Sequence, residues 1–254
     1  MDGFLQLIVP PGLSVLEAMG LMGLSLFTSL LTAMLSVGGG MLLISVMASI
    51  LPPAALIPVH GMVQLGSNLG RSVLMWRYID WRFLGWFLAG ALIGAALASL
   101  WVVTLPGNVL RGLIGAYILW AIWGKPLPFL KMGRGTSLGI GFAATFMAMF
   151  VGVAGPLLAS LFRQSDYNRK QIVANQATTM SVQHALKGVV FGAAGFAFLP
   201  WLGFIAAMIA TGFVGTWIGR HLLFKLPEKR FRQALDLVLT LLALRLMWQA
   251  FTGG

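Results

Sequence analysis

Apolar segments, most of them long enough to cross a bilayer, follow one another along this chain with only short connectors between them. A membrane-spanning helix needs about 20 such residues. The segments fall at 14–37, 40–51, 54–76, 83–103, 109–123, 136–162, 171–194, 200–223 and 233–251. Between them lie connectors rich in Pro, Gly and charge, of which Gly124 to Gly135 is the best midpoint. Composition supports the same reading. Of 254 residues, 59% are hydrophobic and 9% charged, with a mean hydropathy of +0.91, against about 25% charged in a soluble domain. A soluble enzyme, a secreted scaffold and a disordered tail are excluded. No polar segment could hold a second domain, so residues 1–254 read as a single transmembrane domain of the all-α, polytopic class. Cysteine is absent, which excludes disulfides and thiolate metal or redox sites. Met1 to Pro11 carries Asp2 and no basic residue, unlike a signal peptide.

An internal repeat straddles the midpoint. Leu105-Pro106 followed by Arg111 matches Leu226-Pro227 followed by Arg232, at an offset of 121, and Gly94 matches Gly215 at the same offset. Arg71 matches Lys187 at an offset of 116, each inside an otherwise apolar helix, and Trp81 and Trp201 begin equivalent helices. The expected halves are 14–123 and 136–251.

Charge then orients the halves. The net charge of +11 would suggest nucleic acid on a soluble protein, but thirteen basic residues sit in four connectors. These are Arg77 and Arg82; Lys125, Lys131 and Arg134; Arg163, Arg169 and Lys170; Arg220, Lys225, Lys229, Arg230 and Arg232. The positive-inside rule puts these connectors in the cytoplasm. The bare turns at 51–53, 104–108 and 195–200, and both termini, then lie outside, which for a bacterial inner membrane is the periplasm. The bare 51–53 turn corresponds to the charged 163–170 connector, so the two halves are expected to be inverted repeats.

Inversion needs an odd number of crossings per half. Residues 54–123 and 171–251 supply three each, so 14–51 and 136–162 must each return to the side they came from. Gly38-Gly39-Gly40 and Gly152 to Gly155 stand where a glycine-broken or hairpin helix would turn. The fold class is therefore two inverted repeats, each a broken or hairpin helix followed by three transmembrane helices. The alternative is eight plain crossings.

Two helices carry polar stripes that lipid would not tolerate. His60, Gln64, Ser67, Asn68 and Arg71 share one helix face, as do Gln176, Thr179, Gln183 and Lys187, with Asn175 and His184 beside the second stripe. Neither helix holds an acid to pair with Arg71 or Lys187. Ionisable residues in a membrane usually face a partner or an aqueous cavity. A cation lined by amides and hydroxyls suits a small anion. The plain alternatives are snorkelling cations and interhelical glue. Helices restarting after Gly40 or Pro156 would add free backbone N–H groups, with Gly38, Gly39, Gly40 and Gly155 around the anion; close packing is the alternative use of these glycines. The pairs Gly66/Gly70, Gly90/Gly94, Gly135/Gly139, Gly188/Gly192 and Gly215/Gly219 read as helix contacts only. No nucleotide loop, catalytic constellation, metal cluster or cofactor motif is present, and Asp80, Asp166 and Glu228 read as solvated loop residues.

Several of these elements resemble the TauE/SafE family of sulfite exporters and anion permeases. Ser36-Val37-Gly38-Gly39-Gly40 is similar to that family's GxGGG signature, with Val37 in place of a small residue. Arg77-Tyr78-Ile79-Asp80-Trp81-Arg82 resembles its basic Gly-x-(Ile/Val)-Asp-Trp turn, with Tyr78 for glycine. Gly90-Ala91-Leu92-Ile93-Gly94, both Leu-Pro–Arg elements and Ala177-Thr178-Thr179 also fit, and the likeness covers essentially the whole chain. It implies transport of sulfite or an organosulfonate across the bacterial inner membrane. The expected reading is a secondary transporter working by alternating access, not an enzyme, with no cofactor. Its partners are the anion and the bilayer, without nucleic acid, and self-association is left open. Sulfite and bisulfite interconvert near neutral pH, which offers His60 or His184 a role in proton coupling. An uncoupled anion pore, a carrier of another small anion and an intramembrane enzyme are the rival readings.

Overall fold

A computed structural model describes residues 8–35, 38–101, 105–125, 131–222 and 228–252, without the side chains at 34–35, 220–222 and 228–232. Ser36-Val37 of the glycine motif, Leu226-Pro227 of the repeat match and the extreme termini lie outside these residues. The described chain is helical. The first half contains α1 (Val15–Leu35), the short α2 (Gly39–Met47), α3 (Pro53–Leu74), a 3-10 turn (Trp76–Tyr78), α4 (Trp81–Ser99) and α5 (Gly107–Trp123). The second half repeats the series with α6 (Arg134–Val151), the short α7 (Gly155–Arg163), α8 (Arg169–Ala193), a 3-10 turn (Leu199–Trp201), α9 (Leu202–Leu222) and α10 (Glu228–Thr252).

Local chemistry fixes where these helices begin and end. Asp80 caps α4, its Oδ1 accepting from the Phe83 N–H at 2.9 Å. Asn168 and Gln171 form a reciprocal capping box at the start of α8. Gly152 ends α6 at φ 76°, and Gly38 precedes α2 at φ 108°, conformations that favour glycine. The short helices begin at Gly39 and Gly155, ahead of Gly40 and Pro156, after which the sequence pattern restarts them. Each nine-residue helix rises about 14 Å, roughly half the hydrocarbon core.

Among the described residues, five stretches are long and apolar enough to cross a membrane: Val15–Ala33, Trp81–Ser99, Arg134–Val151, Leu199–Gly219 and Gln233–Thr252, with Gly107–Trp123 slightly shorter. α3 and α8 are long enough, but their polar stripes lower their hydropathy, and they sit inside the bundle. The outer helices instead expose apolar side chains such as Leu92, Trp101, Phe213, Leu241 and Trp248, as a lipid-facing surface requires. The protein is a multi-pass helical membrane protein.

The halves interlock. α3 packs on α8, α5 on α10, α4 on α6 and α9 on α1. The first two pairs run antiparallel: His60 lies beside His184, Ser72 bonds Ser181, and Asp80 bonds Asn175. Gly112 likewise approaches Ala250 while Trp123 bonds Thr240. The other two pairs run parallel, Gly90 and Gly94 meeting Leu138 and Phe142, and Gly215 and Gly219 meeting Leu26 and Leu30. α2 turns back along α1, and α7 returns to the face at which α6 began. The connectors at 75–80 and 164–168, with 124–125 and 131–133, gather on one face, called here the basic face. The turns at 48–52 and 194–198 gather on the other.

Not every glycine pair is a contact. Gly90/Gly94 and Gly215/Gly219 touch neighbouring backbone, whereas Gly135, Gly139 and Gly70 have open space where a side chain would stand. Gly90→Ala and Gly215→Ala should therefore each destabilise the protein by about 1–3 kcal/mol through overpacking. Gly139→Ala should cost nothing. Thermal unfolding of the three variants in detergent checks this, and equal melting of all three would refute the packing assignment.

Candidate functional site

A cavity of about 690 Å³ opens between the halves toward the basic face. Gly38, Gly40, Gln64, Asn68 and Arg71 line it from the first half, and Gly155 and Gln176 from the second. Met180, Phe213, Thr216 and Trp217 complete the wall, with Arg169 and Lys170 at the mouth. Both short helices therefore start at one water-accessible space. Neither start has a side-chain cap, so backbone N–H groups and the positive ends of two helix dipoles remain available there.

The side chains are held by their own helices. Asn68 donates to the Gln64 carbonyl at 2.8 Å, and its Oδ1 accepts from Arg71 Nη2 at 2.9 Å. Arg71 Nε also donates to the Ser67 carbonyl at 3.4 Å. The guanidinium is thus steered along the cavity wall by neutral groups, without a carboxylate among its recorded partners. Such an arrangement leaves positive charge to attract an anion.

Other sequence-selected residues lie elsewhere. Gly39 packs against the Thr28 carbonyl and Thr32 of α1. Ser67 is half-buried and outside the cavity lining, and the Thr179 hydroxyl donates to the Asn175 carbonyl of its own helix at 2.8 Å. His60, Gln183, His184 and Lys187 form a separate buried group. Lys187 Nζ donates to the Gly152 carbonyl and lies 3.2 Å from His184 Nδ1, while His60 Nε2 lies 3.2 Å from the Gly40 carbonyl. Lys187 has no exposed surface, so it does not snorkel.

Asp80 corrects the expectation of a solvated loop residue. Besides capping α4, its Oδ2 accepts from the Tyr167 hydroxyl at 2.6 Å, and its N–H donates to Asn175 Oδ1 at 2.9 Å. Asn175 in turn donates to the Tyr78 carbonyl at 3.3 Å. Lys170 Nζ donates to the Tyr78 hydroxyl at 3.3 Å. These bonds fasten the halves together beside the cavity mouth. An aspartate directly before an apolar run signals the cap in sequence; its partners 87 and 95 residues away leave no such signal.

The description "Sulfite exporter TauE/SafE" matches residues 21–246, nearly the whole chain, and the protein belongs to that family. No curated protein and no solved structure matches the chain.

The Tyr167–Asp80 bond makes a prediction. Burial, followed by the hydrogen bond to Asp80 and its charge, pushes the Tyr167 phenol above its ordinary range. A raised value means the contribution is fully present below the unfolded value of about 10 and is lost only as pH rises through the folded one. Tyr167→Phe should cost about 1 kcal/mol at this partly exposed bond. The loss, read by thermal unfolding, should be the same in mildly acid and mildly alkaline buffer.

Proposed function

We propose that the protein is a secondary transporter for a small sulfur-containing anion, sulfite in the first instance, across the bacterial inner membrane. One observation carries the proposal: a single cavity receives both short-helix starts, the amides of Gln64, Asn68 and Gln176, and the Arg71 guanidinium. The backbone N–H groups near Gly40 and Gly155 hold the anion's oxygens, the amides replace its water, and Arg71 supplies attraction. Membership of the sulfite exporter family supports the substrate class.

Alternating access between inverted halves is the proposed mechanism. The antiparallel run of α3 with α8 and of α5 with α10, and the equal element order of the two halves, support inversion. A second cavity of about 560 Å³ on the opposite face, lined by Pro53, Ile57, Met149, Phe191 and Phe196 among others, supports two-sided access. The cavity holding the anion site opens to the basic face, which the positive-inside rule assigns to the cytoplasm. Both termini then lie in the periplasm, and reporters at residues 1 and 254 should give the same periplasmic signal. Signals from opposite sides would overturn the topology.

Counterflow of radiolabelled sulfite in proteoliposomes tests the activity, with sulfonates, sulfate and chloride as competitors. Saturable exchange inhibited by sulfur anions is expected. Unsaturable flux without counterflow would mean a pore, and no protein-dependent flux would refute the proposal. Arg71→Ala should raise half-saturation roughly tenfold or more, the loss of one charge-assisted contact. Unchanged transport and anion selectivity in this variant would remove Arg71 from the site.

A further inference from the structure

Between the two cavities stands a layer of buried polar groups that the anion site does not use. Lys187, His184, His60 and Gln183 are 0–1% exposed. His60 Nδ1, His184 Nε2 and both amide atoms of Gln183 lack any hydrogen-bond partner. Leaving a buried polar atom unpaired costs about 1–3 kcal/mol, so four such atoms in two adjacent helices need a reason. The cluster sits at the crossing of α3 and α8. The His60 and His184 ring centroids are 6.1 Å apart, and a Cβ on Gly61 would touch the Lys187 stem.

Its position relative to the cavities is specific. The basic-face cavity ends at Gln64, one turn from His60, and at Gly40, whose carbonyl faces His60 Nε2. The opposite cavity reaches Ile57, one turn before His60, and Phe191, one turn after Lys187. The cluster therefore separates the two water-accessible spaces and touches the boundary of each. Resting on the carrier reading above, we propose that His60, His184 and Lys187 form a proton-binding site, with the transported proton held between Lys187 Nζ and His184 Nδ1. It crosses together with the anion.

Charge accounts for the coupling. α3 contributes His60, α8 contributes His184 and Lys187, α2 contributes the Gly40 carbonyl and the 152–154 break the Gly152 carbonyl. Lys187 acts on both His60 and His184, and His60 also acts on His184. Arg71 is about 16 Å along α3. On α5, Arg111 donates to the Ala48 carbonyl at the far face, and Tyr117 is buried. No acidic side chain is a recorded partner of Lys187 among the described residues. A buried cation is costly unless an opposite charge neutralises it. An anion in the adjoining cavity supplies that charge, so proton and anion favour each other's binding. The proton enters from one solution, converts the neutral Lys187 amine to an ammonium donating to Gly152 and His184, and leaves to the other solution once the anion is released. The unpartnered nitrogens of His60 and His184 are its points of transfer to water.

Proteoliposomes carrying the full chain test this with radiolabelled sulfite, comparing counterflow at equal pH with accumulation driven by a pH gradient. Wild type should show both. Lys187→Gln and His184→Gln should keep counterflow within about twofold yet lose at least about tenfold in gradient-driven accumulation, as expected when a coupling free energy is removed. Retained counterflow itself reports a folded, anion-binding protein. If Lys187→Gln abolishes counterflow too, His184→Gln and His60→Gln decide. Accumulation that persists in these variants means the proton rides on bisulfite and overturns the site, as does wild-type counterflow without a pH response. Wild type lacking counterflow refutes the carrier reading, and the site with it.

Discussion

Backbone and charge have no water to turn to inside a bilayer, and this structure departs from plain helix only where protein surrounds the departure. α1 ends at Leu35 and α6 at Val151, and the short helices that begin at Gly39 and Gly155 start beside α3 and α8 at the cavity. Gly40 abuts Gln64 and Val153, while Gly152 abuts Ile44 and Ile57. A Cβ on Gly152 would collide with Ile44 and one on Gly38 with Leu235, so these two positions demand glycine for space as well as for backbone angle. Polar helices inside and apolar helices outside follow from the same requirement. α3 and α8 could not face lipid with their stripes of amide, imidazole and cation.

The interlocked pairing gives this arrangement its rigidity. Each half lends its opening helix to the other, α1 to α9 and α6 to α4, through glycine-mediated backbone contact. Neither half could bury its breaks alone. The Asp80–Tyr167 and Asp80–Asn175 bonds tie the basic-face ends of the central α3–α8 pair together.

Much of this was legible in the chain. Segment lengths, the charge of connectors and the glycine clusters are one-dimensional signals of lipid, and they placed most long helices within a few residues, although α10 begins at Glu228, five residues before the expected 233. Helix periodicity selected Gln64, Asn68, Arg71 and Gln176, which meet in one cavity. Periodicity could not say which polar residues on a stripe face water. Lys187 and Arg71 occupy matching positions, yet one is sealed against Gly152 and the other lines the cavity, because depth is set by the partner helix. Asp80 was misread for the same reason: its partners lie in the other half, and sequence distance conceals contacts made by the interlock.

Arg71 and Lys187 stand at opposite ends of the α3–α8 pair, Arg71 lining the basic-face cavity and Lys187 buried one turn from Phe191 of the other cavity. In a conformation open to the opposite face, the proposed inversion would exchange these environments. Lys187 would then gain water through Phe191 and Ile57, while Arg71 would be closed over by α8. The buried His60–Lys187 layer lies between Gln64 of one cavity and Ile57 and Phe191 of the other. Placing ionisable groups in that layer ties the movement of the barrier to its charge: an empty cavity leaves a buried ammonium unneutralised, and an occupied one does not. A carrier built in this way resists crossing with a lone proton, which is the condition for coupling rather than leak.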